Sequence, residues 1–283
     1  MRTVIRTLCL IALAAAVMPG EAAADFLLFD TGAPDGKMAS ASRPDAGGKA
    51  EIESADDFIV GPGGFTISSA TFTGLITGSA PSIGQVVVEI YRVFPNDSTN
   101  PPSGNVPTRV NSPSDVAFDS RDSASAGLTF TTTTLVSSFT AQNSVLNGIN
   151  KLPNVQTGGE GSVTGAEVKF TVNFATPFNL PADHYFFVPQ VQVTGGEFYW
   201  LSAPRPVSGQ FAFSPDLQSW IRNADLDPDW LRIGTDIVGA GAAPAPTFNA
   251  SFSLTGVPEP SSWVLFGVGT AGLLGLATRR PRR

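Results

Sequence analysis

The sequence predicts an all-β fold, an antiparallel β-sandwich of jelly-roll-like character, on three observations. Apolar and polar residues alternate at period two in several segments. Turn-forming residues separate those segments, with 29 Gly and 23 Pro in 283 residues. Between the two ends of the chain no long amphipathic helical stripe interrupts them, which favours two packed antiparallel sheets.

The clearest strand is 167–175 (EVKFTVNFA): Val168, Phe170, Val172 and Phe174 share one face, Glu167, Lys169, Thr171 and Asn173 the other. Segment 247–254 repeats the pattern with Phe248, Ala250, Phe252 and Leu254. Residues 86–94 (VVVEIYRVF) form a continuous apolar run, as expected of a strand covered on both faces. Stretches rich in Phe, Val and Thr at 65–77, 128–134, 184–193 and 197–202 complete the strand set. Short helical turns are expected at 142–149 and 216–223. Residues 96–115 carry four prolines and read as a long polar loop, and 239–246 (GAGAAPAP) as a bend or hinge. No internal repeat of 20–50 residues is present, which disfavours a solenoid or propeller.

The N-terminal segment, 1–24, reads as a secretory signal peptide. Arg2 and Arg6 precede a ten-residue apolar core at 8–17 that is too short to span a bilayer. Pro19 and Gly20 break it, and Ala22 and Ala24 stand at −3 and −1 of a cut before Asp25. The sole cysteine, Cys9, lies inside that core, so the mature chain would be stable in an oxidising compartment without a disulfide.

The C-terminal segment, 256–283, has three parts. Val257-Pro258-Glu259-Pro260 leads into 261–278, a charge-free stretch read as a transmembrane helix. Its 18 residues would give about 27 Å of helix at ~1.5 Å per residue, adequate for a thin membrane. Arg279, Arg280, Arg282 and Arg283 then act as a membrane stop held on the cytoplasmic side. In order, spacing and position these residues resemble the PEP-CTERM sorting signal of Gram-negative bacteria. The same motif has carried the label ice-binding protein C-terminal, which says nothing about ice binding here. The resemblance implies signal peptidase and exosortase as processing partners, a precursor held in the inner membrane, and cleavage near Pro258-Glu259-Pro260. It also implies a destination at the cell surface or outside the cell, in the company of exopolysaccharide and biofilm. Residues 25–255 form the domain between the two signals. There, 29–32 (FDTG), 55–58 (ADDF) and 198–201 (FYWL) loosely resemble the exported β-domains, of no assigned activity, that often precede this signal.

Removing both ends leaves 22 acidic against 11 basic side chains in 25–257, a net charge of −11. Such a chain repels nucleic acid and anionic surfaces, so cations or neutral polysaccharide are the better partners. One histidine, His184, and no mature cysteine exclude the usual N/S zinc or copper site. No Gly-x-Ser-x-Gly accompanies that histidine, and catalytic residues are expected to be absent. Asp225, Asp227, Asp229 and Asp236 have the rhythm of a Ca²⁺ loop. Trp230 stands where such a loop needs Gly, so an ordered turn is the alternative. Tyr199, Trp200, Trp220 and Trp230 offer either a glycan-stacking platform or core. Asp56-Asp57 and the pair Glu51/Glu53 are candidate hydrolytic carboxylates. On a strand, Asp56 and Asp57 would point to opposite faces, whereas Glu51 and Glu53 would share one.

The leading expectation is a non-enzymatic surface or matrix protein requiring no cofactor. A carbohydrate- or calcium-binding module is the alternative, and a secreted hydrolase the lesser one.

Overall fold

The computed structural model describes residues 25–94, 111–150, 155–204, 208–209, 217–239 and 244–258. The expected signal peptide with Ala22 and Ala24, most of the polar loop, and the tail with Glu259, Pro260 and its arginines lie outside them. Among the described residues no helix is long and apolar enough to cross a membrane; the expected span at 261–278 is not among those residues.

The chain runs through β1 (Phe26–Asp30), β2 (Met38–Ala41), β3 (Ile52–Val60), β4 (Phe65–Ile76), β5 (Ser82–Arg92), β6 (Asp119–Asp122), β7 (Leu128–Ala141) and β8 (Asn143–Val145). It continues through β9 (Val163–Leu180), β10 (Asp183–Thr194), β11 (Phe198–Ala203), β12 (Ser208–Gly209), β13 (Trp220–Asn223), β14 (Leu231–Arg232), β15 (Asn249–Ala250) and β16 (Phe252–Pro258). Two sheets result. In the first, β4 is the spine: β9 flanks one side, with β7 beyond it. Its other side is shared by β16 and β11. β1 and β12 extend the sheet past β16, and β2 and β8 extend it past β11. The second sheet has the order β14-β13-β3-β10-β5-β6. All pairings are antiparallel except β2 with β8. The all-β antiparallel sandwich is therefore the observed class.

The period-two pattern explains the packing. Val168, Phe170, Val172 and Phe174 of β9 all turn into the main core, as their alternation requires. They meet Phe58, Val88, Ile90, Tyr185 and Phe187 from the second sheet. Phe187 and Phe252, one from each sheet, stack with centroids 5.1 Å apart. β5 is covered on both faces, as its continuous apolar run implies. Val86, Val88 and Ile90 enter the main core, while Tyr91 joins Phe186, Val188, Trp220 and Trp230 in a cluster outside the second sheet. A third cluster, around Leu75, Tyr199, Leu201, Val145, Ile221 and Ile237, ties β2, β8 and β11 to β13 and to a π-helical turn at Ile233–Val238.

Two short elements correct the sequence reading. Within 142–149 the structure has strand β8, and within 216–223 strand β13. In β13, Trp220 and Ile221 enter different apolar clusters on opposite sides, which a strand allows and one turn of helix does not. β7 also runs beyond 134, to Ala141. Its residues 131–138 are exposed on both faces, so no burial pattern announces them.

Phe170 packs against Phe72, Phe130 and Phe198 within the main core. Replacing it with alanine should cost about 3–5 kcal/mol. Thr131→Ala, on the exposed strand, should change stability by less than about 0.5 kcal/mol. Urea denaturation midpoints of the two variants check the contrast.

Candidate functional site

The acidic strand β3 carries the carboxylates that sequence reading offered for hydrolysis. Its backbone is extended, so Asp56 and Asp57 do point to opposite faces, and each is buried among bonds that hold the fold. Asp56 accepts from Ser219 Oγ at 3.1 Å and from the Ala250 amide at 2.8 Å. Asp57 lies 2.6 Å from His184 Nε2 and accepts from the Leu217 amide at 3.1 Å. The lone histidine, at the start of β10, is thereby paired with a structural carboxylate and stacked over Phe186.

Glu53 lies on the outer face of the second sheet. It pairs with the buried guanidinium of Arg222, whose Nη2 also donates to Tyr91 Oη at 2.9 Å. Tyr91 in turn donates to Glu53 Oε1 at 2.6 Å, and Glu89 Oε2 stands 3.1 Å from the same hydroxyl. Arg222 lies over the Trp230 ring at 4.4 Å and reaches Asp227 at 2.8 Å. Burial, reinforced by the charge of Glu53, pushes the Glu89 carboxyl up to about 8. Glu51, bonded to Gln190 at 3.0 Å, is also raised by burial and then by Glu53. Burial and mutual repulsion thus favour the protonated form of Glu89 and Glu51 beside the Glu53–Arg222 pair. Sequence reading saw Glu51 and Glu53; it missed Glu89, Tyr91 and Arg222, which only sheet register brings to the same place.

The four aspartates do not converge. Asp236 spends both oxygens on Arg232, at 2.6 and 2.9 Å. Asp227 is held by Arg222, and Asp229 is buried. Asp225 lines a separate cleft of about 300 Å³ with Arg43, Glu51, Asn147 and Asn223. The chain turns tightly here through Leu226, Asp227 and Asp229 amides bonded to Asn223 and Leu226 carbonyls. Among the described residues no three metal-ligating side chains form a cluster. The aromatic platform is likewise dispersed. Trp200 sits in the main core, Tyr199 in the β2–β11 cluster, and Trp220 and Trp230 beneath the outer face of the second sheet. All four rings are buried and divided among three separate clusters, so they present no common surface to a sugar.

A second cleft, of about 290 Å³, opens on the outer face of the first sheet. Thr71, Thr73, Ser251 and Ser253 line it with Asp30, Glu167 and Lys169. Glu167 is nearly buried, and desolvation raises its carboxyl.

The sorting motif begins inside the fold. Val257 and Pro258 are the last residues of β16, opposite Thr66 and Phe65 of β4. Asp25, just after the predicted signal cut, places its carboxylate 2.7 Å from Ser68 Oγ at the same end of the sandwich.

Residues 256–283 match the family described as the PEP-CTERM protein-sorting motif. No curated protein and no solved structure matches the chain. The chain thus carries the PEP-CTERM signal, which marks an exported protein whose membrane-anchored precursor is processed by exosortase.

The raised Glu89 gives a pH test. Its carboxyl ionises near 4.5 in the unfolded chain and near 8 in the fold. Its contribution to stability is therefore full below about 4.5 and is lost as pH rises toward 8. Glu89→Gln should abolish that slope. It should melt a few degrees above the wild type at pH 8 and close to it at pH 4.5, read by differential scanning calorimetry. Arg222→Met, which strands buried Glu53, should cost about 3–5 kcal/mol in the same assay at neutral pH.

Proposed function

We propose that this sandwich is a non-enzymatic module of the cell surface or extracellular matrix, associated with exopolysaccharide once exosortase has released its anchor. The observation that carries the reading is the sorting motif running directly out of β16. A module joined so closely to its own sorting tail is delivered as a folded cargo. The bonding of Asp56 and Asp57 supports a structural role for the acids of β3: those carboxylates hold β3 to β10, to the 217–219 segment and to β15. A net charge of −11 suits a protein that stays soluble in a hydrated neutral matrix.

One observation favours carbohydrate binding as a second reading. The cleft lined by Thr71, Thr73, Ser251, Ser253, Asp30, Glu167 and Lys169 presents hydroxyl, carboxylate and ammonium groups within one sugar's reach.

Intact mass of the protein from membrane and medium fractions tests the processing. A chain starting at Asp25 and ending near Glu259 only where exosortase is present is the expected result; Arg283 as the terminus in both strains would overturn it. Co-sedimentation with isolated exopolysaccharide tests the association. Thr71→Val together with Glu167→Gln should weaken it several-fold if the cleft is the contact, and leave it unchanged if the module is held elsewhere.

A further inference from the structure

Both termini of the sandwich leave from one end. Phe26 of β1 lies opposite Gly256 of β16, and Leu27 opposite Thr255. Val257 and Pro258 then finish β16 beside the first residues of β4. The turns at 61–64 and 181–182, which join β3 to β4 and β9 to β10, lie at this same end.

This end shows a run of apolar side chains to solvent, bordered by the exposed polar groups of Asp25 and Asn179. Phe26 is 51% exposed and Leu27 50%, and Pro62, Pro181 and Ala182 are exposed beside them. At its rim the exposed Asp25 carboxylate accepts from Ser68 Oγ, and Asp183 stands 3.9 Å from Arg92. An exposed Phe-Leu pair at a strand start has no role in the core, yet it sits where the anchored precursor must approach its membrane.

The tether fixes how closely. Pro258 is still paired in the sheet, and only Glu259 and Pro260 separate it from the apolar stretch that begins at Ser261. Two extended residues reach about 7 Å. A folded domain on so short a leash cannot turn this end away from the bilayer. There the two side chains are more stable against the headgroup–acyl boundary than in water, by about 25 cal/mol per Å² buried.

We infer that in the anchored precursor this end of the sandwich is a membrane-contacting surface, with Phe26 and Leu27 seated in the lipid interface. The inference rests on the anchoring given by the sorting signal and adds the surface that meets the lipid. Its partner is a zwitterionic bilayer face, since a domain of net charge −11 is repelled by an anionic one. Two side chains are too small a hold to keep the protein once its tail is cut, so contact ends with processing.

The test uses the full chain, with Cys9 replaced by alanine, purified from cells lacking exosortase and reconstituted into phosphatidylcholine vesicles. An environment-sensitive fluorophore is placed on Phe26→Cys, and separately on Ala80→Cys in the turn after β4. The 12 residues of β4 put that turn about 40 Å away at ~3.3 Å per residue. Brominated acyl chains should quench the label at 26 at least twofold and leave the label at 80 unaffected. A chain that floats with the vesicles but keeps its label at 26 unquenched overturns the contact while the anchor stands. A blue shift at 26 that grows with protein density, without lipid quenching, would assign the patch to a second copy instead and likewise overturn it. Failure to float at all would remove the anchoring, and the inference with it.

Discussion

Three buried acids on one strand organise the second sheet and its junction with the first. Glu53, Asp56 and Asp57 of β3 are all withdrawn from water, which is tolerable only because each is met by donors. Those donors come from distant parts of the chain: Arg222 from β13, Ser219 and the Leu217 amide just before it, His184 from β10 and the Ala250 amide from β15. Alternation along the strand sends Asp56 toward the first sheet and the other two outward, so one strand fixes both its neighbours and the layer opposite. Removing Arg222 would leave buried Glu53 without its countercharge, whereas truncating an apolar side chain elsewhere only opens a cavity.

That arrangement also explains what could be read in advance. β9, β4, β5, β10 and β11 were legible because their apolar residues recur on one face or fill both. β3 was not, because Glu53, Ser54, Asp56 and Asp57 make a central strand look like a surface one. The tryptophans were legible as aromatic mass, but nothing local says that Trp200 fills the main core while Trp220 and Trp230 share the cluster outside the second sheet. Asp225, Asp227, Asp229 and Asp236 had a ligand rhythm in one dimension. In three, Arg222 and Arg232 take up the carboxylates of Asp227 and Asp236. The sorting signal was readable from end to end because it is a linear motif, recognised by order rather than by folding.

The polar character of the two outer faces differs. On the second sheet the polar groups are concentrated around Arg222 and sealed beneath Trp230, giving a compact cluster with a raised carboxyl at Glu89. On the first sheet, hydroxyl side chains stand in register across strands: Ser253 opposite Thr71, Thr71 opposite Thr171, and Thr171 opposite Thr131. A row of hydroxyls offers repeated donors and acceptors that can be met directly or through bridging water. It can meet a hydrated polymer without committing to a single pose.

The place of β1 has a consequence for the order of events during export. Thr31, one residue beyond β1, bonds to Phe252 in both directions across 221 positions of sequence. β1 is bonded on one side to β12 and on the other to β16, so its first partner is made only at 208–209 and its second only with the last strand. A chain that crosses a membrane N-terminus first therefore waits for its last strand with one edge of β1 and the facing flank of β4 open. The last residues to arrive close that gap. Strand order thus makes the residues that finish the sheet, Val257 and Pro258, the first residues of the sorting motif.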